Sequence, residues 1–130
     1  MRFLPISLLV LALHSGSAVA AESIRILLQN SPLAGSQYYA VSTSWTDIRV
    51  GDRLTLIREP DNRHDRHAIR VEWNGHKLGY VPRAENKAAA RAIDGGEKLE
   101  ARVTRLRDDP DPWRRVEFAV YLTQIGRAHV

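Results

Sequence analysis

Residues 68–81, AIRVEWNGHKLGYV, constrain the fold more than any other part of the chain. Ile69, Val71 and Trp73 alternate with Arg70 and Glu72, so one side of an extended segment is apolar and the other polar. Asn74-Gly75 follows at once, and this pair is favoured in the two-residue turn that reverses a strand on itself. The segment predicts a β-hairpin, and a hairpin needs further strands to bury its apolar face.

Those strands are legible elsewhere. Residues 23–30 (SIRILLQN) and 52–58, with Leu54 and Leu56 in phase, read as two of them. Residues 99–104 and 116–122 alternate with Leu99, Ala101, Val103 and Val116, Phe118, Val120, Leu122 pointing inward, separated by a loop at 108–112. Between the hairpin and this pair, RAENKAAARAIDGG is rich in strong helix formers and ends at Gly95-Gly96, which predicts a helix over about residues 84–93. Several short antiparallel strands around one helix predict a mainly β domain, a small closed or half-closed barrel that hides its strand edges. An open sheet with the helix on one face is the alternative.

The ends carry different signals. Residues 1–20 have one early cation, Arg2, an apolar run from Leu4 to Leu13 and the small residues Ala18-Val19-Ala20, the pattern of a secretory signal peptide cleaved after Ala20. The run is too short to span a bilayer, so the expectation is a periplasmic or secreted protein with no stable membrane insertion after cleavage. Residues 125–130, IGRAHV, match the translation of a common sequencing adapter and are expected to be an artefact, leaving a domain at 21–124. About 105 residues suffice for one modest core. The chain has no Cys, which removes disulfides, thiolate zinc sites and cysteine nucleophiles together. Its surplus of positive charge, +4 over the whole sequence, tolerates a polyanionic partner without demanding one.

The loop before the hairpin, REPDNRHDRHAIRV at 58–71, concentrates Asp61, Asn62, His64, Asp65 and His67. Asp and Asn in such a loop bond neighbouring backbone N–H groups and need no ligand. A metal would have to draw on His64, His67 and His76, which are spread over a loop, a strand start and a hairpin turn; their spacing fits no standard zinc finger, and zinc is not expected. No serine sits in a nucleophile elbow, no Gly-rich phosphate loop precedes a helix, and no carboxylate pair is placed as acid and base. The residues point to binding rather than catalysis.

The order LAGSQYY, VGDRL, REPDN, Asp65 with Ala68-Ile69, and GYVP at 79–82 resembles a HIRAN domain, in a single-domain bacterial form behind a signal peptide. The resemblance runs from about Leu33 to Val103. It implies an OB-like β-barrel that binds single-stranded DNA at its 3′ end, as in the helicase-like transcription factor family. Carried over residue by residue, it implies Tyr38 and Tyr39 as a stacking pair, His64 and Asp65 as readers of the terminus, Arg83 as a phosphate contact and Trp113 as a further base platform. Gln37 stands where related domains can carry a basic residue, and His64 where an aromatic commonly precedes the aspartate.

Physical chemistry supports these roles. A base on an aromatic ring gains roughly 1–3 kcal/mol with little sequence preference. If the tyrosines lie in a strand, only one faces the ligand, and Tyr38 is the expected one. Asp65, an acceptor when ionised, welcomes a free 3′-hydroxyl and repels a phosphate at the same point. The alternatives are an envelope module that uses the barrel rim for a glycan, peptide or protein, and, more remotely, a zinc-dependent hydrolase of phosphorus-containing anhydrides, a label that belongs to helicase or nuclease domains not found in these residues.

Overall fold

The computed structural model describes Arg2 and residues 22–126. The signal-peptide reading of residues 1–20 and most of the adapter reading therefore fall outside the described residues. The described residues form six strands: β1 (Glu22–Pro32), β2 (Arg53–Arg58), β3 (Ile69–Trp73), β4 (His76–Tyr80), β5 (Leu99–Leu106) and β6 (Val116–Gly126). A one-turn helix, α1 (Val41–Ser44), lies between β1 and β2, and α2 (Lys87–Asp94) between β4 and β5. Short 3₁₀ turns occupy Ser36–Tyr38, Arg83–Glu85 and Pro112–Arg114. Among the described residues no helix is long and apolar enough to cross a membrane.

All pairings are antiparallel, in the order β1-β6-β5-β2-β3-β4. The predicted hairpin forms with Trp73 opposite His76, and Asn74 takes the positive φ of 46° that a tight reversal demands and that Asn tolerates. The core comes from the alternating faces: Leu54 of β2, Ile69 and Val71 of β3, Leu78 of β4, Ala101 and Val103 of β5, and Val116, Phe118 and Val120 of β6. Ala89 and Ala90 bring α2 onto this core, since a helix that presents only methyl groups can approach closely. Strand β6 runs further than the alternation suggests: Ile125 and Gly126 stay in register with Ser23 and Glu22.

The barrel is not closed. Its two edge strands, β1 and β4, are joined through the segment that follows β1, where Ala34 and Tyr80 exchange a pair of backbone hydrogen bonds, each 2.9 Å, and the Ala40 N–H donates to Lys77 O at 3.1 Å. The result is a half-closed, OB-like sheet whose seam holds one β-bridge and one further backbone hydrogen bond. Gly79 makes that seam possible, because a Cβ at this position would collide with the Ala34 carbonyl oxygen.

The helix begins later than the residue preferences suggest. Residues 84 and 85 are taken up in a 3₁₀ turn after Pro82, and α2 starts after Asn86. Asn86 is buried, and its side chain does not cap the helix but donates to Asp65 Oδ2 at 2.6 Å. A tertiary contact thus displaces the helix start. The glycine stop works as expected: Gly96, at φ 85°, donates to Ile93 O and Glu97 to Ala92 O, both at 3.0 Å, the paired bonds of a Schellman end.

Candidate nucleic-acid interface

Beside the seam lies a cleft of about 270 Å³ lined by Ala34, Tyr39, Asn62, His64, Asp65, Ala68, Tyr80, Val81 and Arg83. Four pieces of chain meet there: the segment after β1, the loop between β2 and β3, the end of β4, and the start of the following 3₁₀ turn. The seam bridge between Ala34 and Tyr80 holds the first against the third.

The loop is shaped by its own polar side chains. Asn62 Oδ1 accepts from the backbone N–H groups of His64 (2.9 Å) and Asp65 (3.2 Å), and Asp65 Oδ1 accepts from that of His67 (2.9 Å). These are the local turn bonds expected of Asn and Asp. Arg58 then ties the returning limb down, donating to the carbonyls of Arg66 (3.1 Å) and Ala68 (2.9 Å) while it pairs with Asp94 at the end of α2. Asp65 is therefore both a turn residue and a wall of the cleft. Each of its oxygens accepts one bond, from His67 or Asn86, so acceptor capacity remains for a ligand.

Beneath the loop, Glu59 gathers three donors: Asn62 Nδ2 (3.0 Å) and the Tyr80 hydroxyl (2.9 Å) on Oε1, and Arg70 Nη1 (2.6 Å) on Oε2. Burial disfavours its ionised form, but the bonds from Asn62, Arg70 and Tyr80 outweigh it and hold the carboxyl below the usual glutamate range. The Tyr80 phenol is shifted the other way, upward, chiefly by burial and also by the Glu59 charge, with Lys77 opposing. Because the unfolded chain binds a proton at Glu59 more readily than the folded one, the stability this group contributes is complete above its ordinary value near 4.5 and is lost as pH falls through the lower folded value. Urea melts between about pH 5 and about pH 3 are expected to show stability falling with acid less steeply in Glu59→Gln than in the wild type; equal slopes would refute the assignment.

The two tyrosines part company. They lie not in a strand but at the end of a 3₁₀ turn: Tyr38 is its last residue and Tyr39, with extended backbone, is the residue that leaves it. Tyr39 turns into the cleft, edge-on to Tyr80 with ring centroids 6.0 Å apart, and the Lys77 ammonium sits 4.1 Å from its ring centre and 4.6 Å from that of Tyr80. Tyr38 points outward, 77% exposed, and does not line the cleft. Of the two rings, Tyr39 is the one that lines the cleft.

Trp113, half-exposed, also lies off the cleft lining, on the 3₁₀ turn whose Pro112 carbonyl accepts from Ser36 Oγ at 3.2 Å. His64, Asp65 and Arg83 all border the cleft. His67 does not, and His76 stacks on Trp73 in the hairpin with centroids 6.4 Å apart. Among the described residues no three His, Asp or Glu side chains converge on a metal position. Asn62, Tyr80 and Glu59 were not singled out from sequence as site residues; the motifs REPDN and GYVP contain them, but their meeting depends on a contact between distant segments.

A model of the HIRAN domain family matches residues 26–124. A crystal structure of a protein from Lactobacillus plantarum superposes with a TM-score of 0.68 and 29% identity, covering 79% of this chain and 99% of that one. The crystal structure of the HIRAN domain of human HLTF superposes with a TM-score of 0.56 and 20% identity, over 76% of this chain and 77% of that one. A Drosophila melanogaster protein described as a probable phosphorylase b kinase regulatory subunit alpha is 26% identical over 103 residues, 73% of this chain but only 8% of that relative's length. With the family pattern matched from β1 to β6, this chain belongs to the HIRAN domain family, generally a DNA-binding module.

Proposed function

We propose that the cleft grips the 3′-hydroxyl end of a single DNA strand, with Tyr39 as the surface on which the terminal base stacks and Asp65 as acceptor of the terminal hydroxyl, and that the domain performs no catalysis of its own. One observation carries this reading: an aromatic ring and a carboxylate with unused acceptor sites line the same small cleft. A nucleoside offers both matching features, a π-face and a hydroxyl, while a terminal phosphate would put negative charge against Asp65. Arg83, exposed at the cleft border, is the cation that would meet the phosphate linking the last two nucleotides, and His64 lines the same cleft. Export to the periplasm or beyond is part of the proposal and rests on residues 1–20, which lie outside the described residues.

The test compares short strands ending in 3′-hydroxyl and 3′-phosphate. Hydrogen bonds to charged groups are worth roughly 1.5–3 kcal/mol, so the wild type is expected to favour the hydroxyl end by at least about tenfold. Asp65→Asn keeps an acceptor for the turn but removes the charge, and should bring the two affinities together, mainly by admitting the phosphate. A wild type without preference, or a preference that survives in folded Asp65→Asn, refutes the reading. Binding that ignores salt would favour a neutral glycan on the same rim.

A further inference from the structure

A second cleft of about 530 Å³ opens onto the first and shares Asn62, His64, Asp65 and Arg83 with it. Its added walls change the chemistry. Arg63 and Arg66 project from the loop and Lys87 from the first turn of α2, all three exposed. Elsewhere several cations are committed, Arg58 to Asp94, Arg70 to Glu59 and Glu72, Arg102 to Glu100, while Arg91, Lys98, Arg105 and Arg107 are unpaired among the described residues but do not line this cleft. Among the described residues no ion pair or side-chain hydrogen bond involves the side chains of Arg63, Arg66, Arg83 or Lys87. Asp65 is the one acidic side chain in this lining, against four exposed cations.

Unpaired cations gathered on one concave surface attract a chain of anions, since each one neutralised releases a condensed counterion and none must first leave a carboxylate. We infer that this basic cleft is a track for the phosphodiester backbone, holding the phosphates on the 5′ side of the terminal nucleotide as the strand leaves Arg83 toward Lys87, Arg63 and Arg66. The inference rests on the reading of the first cleft for its direction, not for its chemistry. It makes the recognised ligand a run of several nucleotides instead of a lone terminal nucleoside. It also divides the labour: the first cleft reads the end, and the second supplies most of the salt-dependent affinity.

The triple variant R63Q/R66Q/K87Q removes three charges that have no partners to lose, so its melting temperature should match the wild type. Binding of 3′-hydroxyl thymidine dinucleotide and hexanucleotide is measured by anisotropy competition across a salt series. In the wild type the hexanucleotide is expected to bind more tightly, and the gain should largely vanish in the variant. The slope of log affinity against log salt for the hexanucleotide should become shallower by about 2, at roughly 0.7 per phosphate contact in single strands. An unchanged slope in the folded variant, or equal wild-type affinity for both lengths, overturns the track, even if the preference for 3′-hydroxyl over 3′-phosphate persists. Loss of slope without any such preference in the wild type leaves the track standing and removes the end-reading role instead.

Discussion

Tyr39→Ala is expected to weaken binding of short single strands by about 5- to 150-fold, the loss of one stacked base at roughly 1–3 kcal/mol, while Tyr38→Ala changes it less than about twofold. The contrast follows from where the 3₁₀ turn sends the two rings. Tyr39 borders the cleft that also contains Asp65, whereas Tyr38 stands in solvent. Tyr39 also packs edge-on against Tyr80 and under Lys77, so its ring is held in place before a ligand arrives. A preorganised platform loses little side-chain entropy on binding. Because alanine also removes that packing, Tyr39→Phe separates the effects: it keeps the ring and should bind within about twofold of the wild type. Anisotropy with a labelled 3′-hydroxyl strand, with a thermal melt for each variant, decides the matter. A larger loss in Tyr38→Ala would move the platform to the exposed ring.

How far the sequence foretold this site depends on the distance over which each contact acts. The hairpin at Asn74-Gly75, the alternation of β5 and β6 and the Gly96 helix end are local, and each is legible from a few neighbouring residues. The turn roles of Asn62 and Asp65 are equally local. The start of α2 is not, since Asn86 is drawn to Asp65 across 21 positions and Pro82 opens a 3₁₀ turn first. Helix α1 escapes notice because Val-Ser-Thr-Ser combines β-branched and hydroxyl residues of modest helix propensity. The strand presumed in choosing between Tyr38 and Tyr39 is not there: Gly35 at φ 72° turns the chain into a 3₁₀ bend instead, and Tyr39 is the ring that lines the cleft. The network on Glu59 joins residues 11 and 21 positions away, and the basic cleft unites a loop with a helix. Pattern gives the strands; only packing shows which polar groups they bring together.

That dependence on packing is sharpest at the seam, where Gly79→Ala is expected to destabilise the domain by about 3 kcal/mol, lowering its melting temperature by roughly 12–24 °C. An alanine methyl there would overlap the Ala34 carbonyl oxygen and press on Leu33, whose side-chain carbons lie only 3.2 Å from the added Cβ. Leu33 is fully buried and cannot swing aside, so relief must come from moving Ala34. Moving Ala34 breaks both hydrogen bonds to Tyr80, and with them the one β-bridge between the segment after β1 and β4 among the described residues, leaving the Ala40 N–H bond to Lys77 O to hold that segment. Both residues also line the cleft. Strand binding should therefore fall in Gly79→Ala even well below its melting temperature, as the wall carrying Tyr80 and the segment carrying Tyr39 drift apart. A chemical-denaturation difference under about 0.5 kcal/mol would show that the seam yields without strain, and that the cleft owes its shape to the Glu59 network instead.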